Sequence, residues 1–170
     1  MNTILEAAAF ARRAHAGQRR KYTDRPFIFH PARVAGRVAA HPQATEVMVA
    51  AAFLHDVVED TPHTLEEVSA GFGSDVARLV DELTNPSKGS KAPRLERKQQ
   101  DRDHLALVSV EAKIIKLVDR IDNLQEMAEA PESFREKYFE ESRLLVEVIG
   151  DVDPDLKAEV LDCIGRLEAT

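Results

Sequence analysis

Four ionisable side chains crowd one short stretch of this chain: His55, Asp56, Glu59 and Asp60. They close the apolar run Ala50-Ala-Ala-Phe-Leu54, and Pro62 follows. Proline disfavours helical geometry in the residue before it, so the pattern predicts a helix ending near Thr61. In such a helix His55 shares a face with Glu59, and Asp56 with Asp60, because residues four apart are neighbours. Burying this set unpaired would cost several kcal/mol, roughly. A plain core helix has no reason to carry it, and a bound cation would offset the penalty.

Two further segments carry residues of the same chemistry. Pro26-Phe-Ile-Phe leads into His30-Pro31. The Phe-Ile-Phe run should anchor in the core and hold His30 at the mouth of the next helix, with Pro31 as a good first helical residue. Alone, His30 reads as a capping or satisfied core histidine; beside His55-Asp56 it becomes a ligand candidate. Asp119 sits in a long amphipathic stretch with Ile114, Ile115, Leu117, Val118, Ile121 and Leu124. It should point partly inward, with Asn123 one turn on along the same face. His30, His55, Asp56 and Asp119 offer two nitrogens and two oxygens, a set that suits Mn, Fe, Co or Zn. No cysteine joins them, which disfavours a structural zinc site. A cation held there would lower the pKa of coordinated water and stabilise charge on a phosphoryl oxygen. Glu59 and Asp60 would then take or give the proton.

The elements that must position these groups all read as helices. Residues 3–16 show helical periodicity with Gly17 as C-cap, and His15 reads as a surface or capping residue. Gln18–Arg25 is a basic loop. A helix follows over about 31–41, then the central one over 44–60. Thr64 and Glu67 form a capping box for a short helix to about Ala70, and His63 beside it reads as solvated. After the break Gly71-Phe-Gly73, Ser74 should cap a helix carrying Val76, Leu79, Val80 and Leu83. Asn85–Pro93 is a loop rich in turn formers and lysine, suited to a mobile lid. The helix from about Arg94 to Leu107 is polar at its start, through Arg94, Glu96, Arg97 and Lys98; this is a solvated face or a phosphate-facing one. Ser109 should cap a helix through Ala128, Pro131 should open one to Ile149, and Asp153-Pro154 should start the last. Nothing reads as a strand. The expectation is an all-α bundle of about eight or nine helices in a single domain over 1–170, with a metal-site core over 18–130 and C-terminal helices over 131–170.

Composition narrows the class. The chain has 170 residues, 44% hydrophobic and 31% charged, which suits an ordinary globule with a real core. A net charge of −7 argues against a nucleic-acid-binding surface. Cys163 is the single cysteine, which excludes an intrachain disulfide and fits a reducing cytoplasm. The start Met1-Asn-Thr-Ile-Leu-Glu lacks signal-peptide character. No apolar run approaches the ~20 residues of a membrane span.

Three stretches together resemble a known family: Arg20-Lys21…Pro26-Phe-Ile-Phe-His30-Pro31, His55-Asp-Val-Val-Glu-Asp-Thr61, and Lys116-Leu-Val-Asp119-Arg120-Ile-Asp-Asn123-Leu. Their order and spacing, over residues 1–150, are similar to the HD phosphohydrolase superfamily. The closer likeness is to the hydrolase domain of RelA/SpoT-type alarmone enzymes, in particular the small hydrolase-only members such as the metazoan SpoT homologues.

The resemblance implies that His30, His55, Asp56 and Asp119 hold one Mn²⁺ per chain, with Fe, Co or Zn also compatible. It implies Glu59 and Asp60 as the catalytic acidic pair, and Arg20 and Lys21 flanking the purine. Asn123 would contact the sugar, and Arg97, Lys98 and Tyr138 would lie near the phosphates. The implied reaction removes pyrophosphate from the 3′ position of a guanosine 3′,5′-bis(diphosphate)-type alarmone in the cytoplasm. The partner is a small nucleotide, not nucleic acid or membrane, and a homodimer is compatible. Asp122 stands where long members usually have His, and the Lys88–Arg94 loop is diverged. Both lie near the substrate and leave an adenosine alarmone, ppApp, as an alternative. A general HD nucleotidase or phosphodiesterase is a rival reading, against which Arg20-Lys21 and Glu59-Asp60 speak. A degenerate nucleotide-binding HD module would be expected to lack ligands, and all four are present.

Overall fold

The computed structural model describes residues 3–169. Met1 and Asn2, on which part of the signal-peptide reading falls, lie outside the described residues, as does Thr170. Among the described residues there are nine helices of two turns or more, a single-turn helical segment, two 3₁₀ turns and no β-strand. One isolated antiparallel bridge joins Arg19 to Pro26. The all-α expectation holds. No described helix is long and apolar enough to cross a membrane.

The helices are α1 (Thr3–Ala14), α2 (Phe29–Ala39), α3 (Glu46–Leu54), α4 (Val57–Asp60), α5 (Leu65–Phe72), α6 (Ser74–Leu83), α7 (Arg94–Leu107), α8 (Val110–Gln125), α9 (Glu132–Ile149) and α10 (Pro154–Glu168). They fall into two compact units. One comprises the chain up to Arg20 together with Asp24–Asn85; the other comprises Lys21–Thr23 and everything from Pro86 on.

In the first unit α3 is the central element, packed against α1, α2 and α6. It can be central because it is apolar all round: Met48, Val49, Ala50, Ala51, Ala52 and Leu54 are all buried. Its start is fixed by Thr45, whose hydroxyl accepts from the Met48 N–H at 3.2 Å. Thr64 and Glu67 make the capping box that opens α5. Gly73, at φ +87, occupies the N-cap of α6, and Ser74 is its first helical residue, not the cap. Only glycine tolerates that backbone without strain.

The entry to α2 also departs from expectation. The helix begins at Phe29, so His30 lies inside its first turn. Turn hydrogen bonds from Phe29 N–H to the Pro26 carbonyl and from His30 N–H to the Phe27 carbonyl wind the chain in early. Pro31 is tolerated there because first-turn N–H groups have no intrahelical acceptor. Phe29 is 50% exposed and so does not anchor in the core; the half-buried Phe27 packs instead on the buried rings of His15 and His30.

In the second unit α8 packs against α9 and α10, and α7 against α9. Ser109 caps α8 through the Ala112 N–H, and Asp153 caps α10 through the Leu156 N–H. α8 stops at Gln125, short of Ala128, and the chain continues as a 3₁₀ turn over Met127–Glu129. The Asn85–Pro93 stretch is a run of turns tied down at several points. The buried Ser87 donates its N–H to Asp101 Oδ1 at 3.2 Å, Ser90 N–H reaches the Ser87 carbonyl, and Ala92 N–H reaches Ser90 Oγ.

Candidate metal centre

The stretch read as one helix over 44–60 is two. α3 ends at Leu54, and Asp56, at φ −97, ψ −5, sits at the edge of the right-handed helical region before α4 begins. A local hydrogen bond accompanies the break. His55 Nδ1 donates to the Ala52 carbonyl at 2.7 Å. That carbonyl is the acceptor the Asp56 N–H would use in a continuous helix. The break lets two consecutive side chains converge, with His55 Nε2 lying 3.2 Å from Asp56 Oδ2.

His30, from α2, completes a trio. Its Nε2 is 3.3 Å from His55 Nε2 and 3.4 Å from Asp56 Oδ2. Both histidines are buried, and the Asp56 side chain is about one-fifth exposed. Metal–nitrogen bonds of about 2.1 Å place neighbouring ligand atoms about 3.0–3.4 Å apart in octahedral or tetrahedral geometry. The trio therefore fits a divalent cation without rearrangement. A carbonyl only accepts, so His55 Nδ1 carries a proton, and its Nε2 would supply the lone pair to a cation held by the trio, as a ligating histidine requires. Burial pushes the Asp56 carboxyl up, but the His55 charge and hydrogen bonds from His30 and His55 outweigh it and hold Asp56 well below the usual carboxylate range.

Glu59 and Asp60 follow one turn on. Glu59 is half-buried, and both its oxygens accept from Asn85 Nδ2, at 2.9 and 3.0 Å; Asn85 N–H adds a third bond to Oε2 at 3.2 Å. Asp60 is exposed, and its backbone carbonyl accepts from Gln18 Nε2 at 2.8 Å. Gln18 Oε1 in turn faces His15 Nδ1 at 2.8 Å. His15, the residue that follows the end of α1, is not on the surface. It is 3% exposed and stacked on Phe27 at 4.5 Å, and its Nε2 is buried without a partner. Burial lowers its pKa. His63, read as solvated, is half-buried, tied to Glu67 at 2.9 Å and set against the Phe10 ring.

The remaining predicted residues divide between the units. Arg20 lies over Phe27 in the first, with its guanidinium 5.4 Å from the ring centroid. Lys21 belongs to the second, where its ammonium lies 5.2 Å from the Tyr22 ring and 5.5 Å from Phe134. Tyr138 stacks on Phe134 at 5.9 Å and carries Arg120 over its face at 4.5 Å. Arg97 donates to the Ala92 carbonyl, and Lys98 pairs with Asp101 at 3.4 Å. Asp119 is buried on α8, paired with Lys116 at 2.9 Å, and accepts from Asn123 at 2.6 Å. Its inward orientation is as expected. The trio itself lies wholly within the first unit.

The HD domain family model matches residues 7–145. The chain belongs to the HD domain family. The human guanosine-3′,5′-bis(diphosphate) 3′-pyrophosphohydrolase MESH1 is 42% identical over 144 residues, covering 81% of this chain and 79% of that protein. MESH1 of Drosophila melanogaster is 34% identical over 170 residues, covering 96% and 93%. A solved structure of a metazoan ortholog of SpoT that hydrolyzes ppGpp superposes with a TM-score of 0.88 at 30% identity, over 98% of this chain and 96% of that one.

Within this HD domain, sequence reasoning missed three polar residues: His15, Gln18 and Asn85. Gln18 reaches 42 residues along the chain and Asn85 26, and no local periodicity signals such bonds. Ion binding by the trio should be visible as stability. Added Mn²⁺ should raise the unfolding temperature of the wild-type HD domain by mass action, and His55→Ala and Asp56→Ala should abolish that rise and co-purify without metal. Calorimetry with elemental analysis reads both; an undiminished Mn²⁺-dependent rise in either variant would dismiss the trio as the ion site.

Proposed function

We infer that the chain is a metal-dependent guanosine-3′,5′-bis(diphosphate) 3′-pyrophosphohydrolase. The observation that carries this reading is the convergence of His30 Nε2, His55 Nε2 and Asp56 Oδ2 within 3.4 Å, one turn before Glu59-Asp60, in a chain 42% identical to human MESH1. Manganese is the proposed ion and the cytoplasm the proposed setting. Asp119 is proposed as the fourth ligand, because it is a deeply buried carboxylate, as a ligand would be. When bound, the ion supplies Lewis acidity toward a phosphoryl oxygen and a lowered pKa for coordinated water.

The chain's own residues do the rest. Water attacks the 3′ phosphoryl group, the bond between phosphorus and the 3′ oxygen breaks, and pyrophosphate leaves the nucleoside 5′-diphosphate. Glu59 and Asp60 take the proton from the attacking water and return one to the departing 3′ oxygen. Arg20 and Lys21 flank the purine: the guanidinium stacks on one face, and the lysine stem covers the other while its ammonium stays in water. Asn123 reaches the sugar. Arg97, Lys98 and Tyr138 lie toward the 5′ phosphates and help fix which bond is presented for cleavage.

Phosphorus NMR of the reaction with ppGpp should show pyrophosphate as the first product. Stepwise orthophosphate would favour a general HD phosphatase. Glu59→Gln keeps the shape of the side chain and removes its proton function, so kcat should fall by about 10²–10⁴-fold with metal content preserved. A raised KM at unchanged kcat would mean that Glu59 binds substrate and does not serve the chemistry.

Base recognition is tested at Arg20. Stacking is worth ~1–3 kcal/mol per base, so Arg20→Ala should raise KM by about 5–150-fold with a smaller effect on kcat. Every purine has a π-face, so the loss should be similar for ppGpp and ppApp. Measuring KM for both substrates in wild type and variant decides it; unchanged KM for both would place the purine elsewhere.

A further inference from the structure

Glu59 does not hold its orientation alone. Asn85 Nδ2 donates to both of its oxygens, at 2.9 and 3.0 Å, and Asn85 N–H donates to Oε2 at 3.2 Å. Both partners are half-buried and belong to the same unit. A glutamate carboxyl turns freely about its last torsion unless something holds it. Here a side-chain amide and a backbone N–H of one residue grip the group at three points.

The gripping residue is itself held. α6 ends at Leu83, and Thr84 closes it: its N–H and Oγ1 both reach the Val80 carbonyl, at 3.0 and 2.8 Å. Pro86 follows and keeps Asn85 out of helical geometry. α6 in turn packs on α3, which ends at Leu54, immediately before His55. The Asn85 donors are therefore tied, through α6, to the helix that leads directly into His55 and Asp56.

We propose that Asn85 is the positioning residue of the reaction: it clamps the Glu59 carboxylate in the orientation from which Glu59 handles the proton. This rests on the reading of Glu59 as a proton-transfer group. Groups that orient a reacting side chain cost about 10–100-fold when removed, because a misaimed carboxylate must find its geometry during the reaction.

The test is a kinetic double-mutant cycle on the full chain loaded with Mn²⁺. Asn85→Ala should lower kcat by about 10–100-fold, with KM for ppGpp and metal content little changed. Asn85→Asp has the same shape but replaces the amide donors with acceptors facing Glu59, so it should be at least as impaired as Asn85→Ala while keeping the wild-type circular dichroism. Asn85→Gln retains the amide and should recover part of the loss. In a Glu59→Gln background, Asn85→Ala should have almost no further effect, since a residue that acts through Glu59 has nothing left to position. Losses that multiply in the double variant, or wild-type kcat in both Asn85→Ala and Asn85→Asp, would overturn the role of Asn85 even with Glu59→Gln inactive. Wild-type kcat in Glu59→Gln would instead overturn the reading of Glu59, and the clamp with it.

Discussion

Two imidazole nitrogens and a carboxylate oxygen meet within 3.4 Å in a largely buried place, and the first unit is built to hold them there. The arrangement needs a shared proton or a cation. His55 Nδ1 already donates to Ala52, so a hydrogen bond between the two Nε2 atoms requires a proton on His30 Nε2 or a second one on His55. Without an ion, protons must therefore supply what holds the trio together, and they do so at the expense of lone pairs. A divalent cation meets all three lone pairs at once and displaces those protons. Ion loading, protonation and folding are thereby linked through one small group of atoms.

The helix break at His55-Asp56 is what makes the convergence available. In an unbroken helix consecutive side chains diverge by about 100°. The apolar pattern through Ala50–Leu54 reads as continuous helix up to Pro62 because it records only which positions are buried. It cannot record that the His55 ring bonds the Ala52 carbonyl, since that bond depends on a rotamer. Local signals with their own chemistry behave differently. The Thr64–Glu67 box, the Ser109 and Asp153 caps and the Arg94–Leu107 helix all appear where the residues imply.

The same distinction separates the legible part of the site from the rest. His30, His55 and Asp56 are recognisable because their types are costly to bury and their neighbours are greasy. His15, Gln18 and Asn85 are ordinary polar residues near turns, where a solvated role is the default. Their meaning comes from packing. Phe27 covers His15, and Gln18 then spans from His15 Nδ1 to the Asp60 carbonyl. The acidic pair is thus held from two sides, Asp60 through its backbone and Glu59 through its carboxylate. For a group that must act within a fraction of an ångström, such support matters as much as the acid itself.

The charge of the second unit shows how misleading a count of basic residues can be. Lys88 to Lys98 reads as a cationic cluster suited to phosphate, yet several of its members are already engaged. Arg94 makes a two-pronged pair with Glu141 at 2.7 and 2.9 Å, Lys98 faces Asp101, and Arg97 spends a donor on the Ala92 carbonyl. An anion arriving there must compete with these acceptors, so affinity gained per cation is smaller than the sequence suggests. Lys21 and Arg120 are placed differently, over the rings of Tyr22, Phe134 and Tyr138. A ring face orients a cation without neutralising it. Side chains held in this way have already given up much of their rotamer freedom. Aromatic residues make up only 5% of the chain. Their gathering around Lys21 and Arg120 orders both cations within this unit.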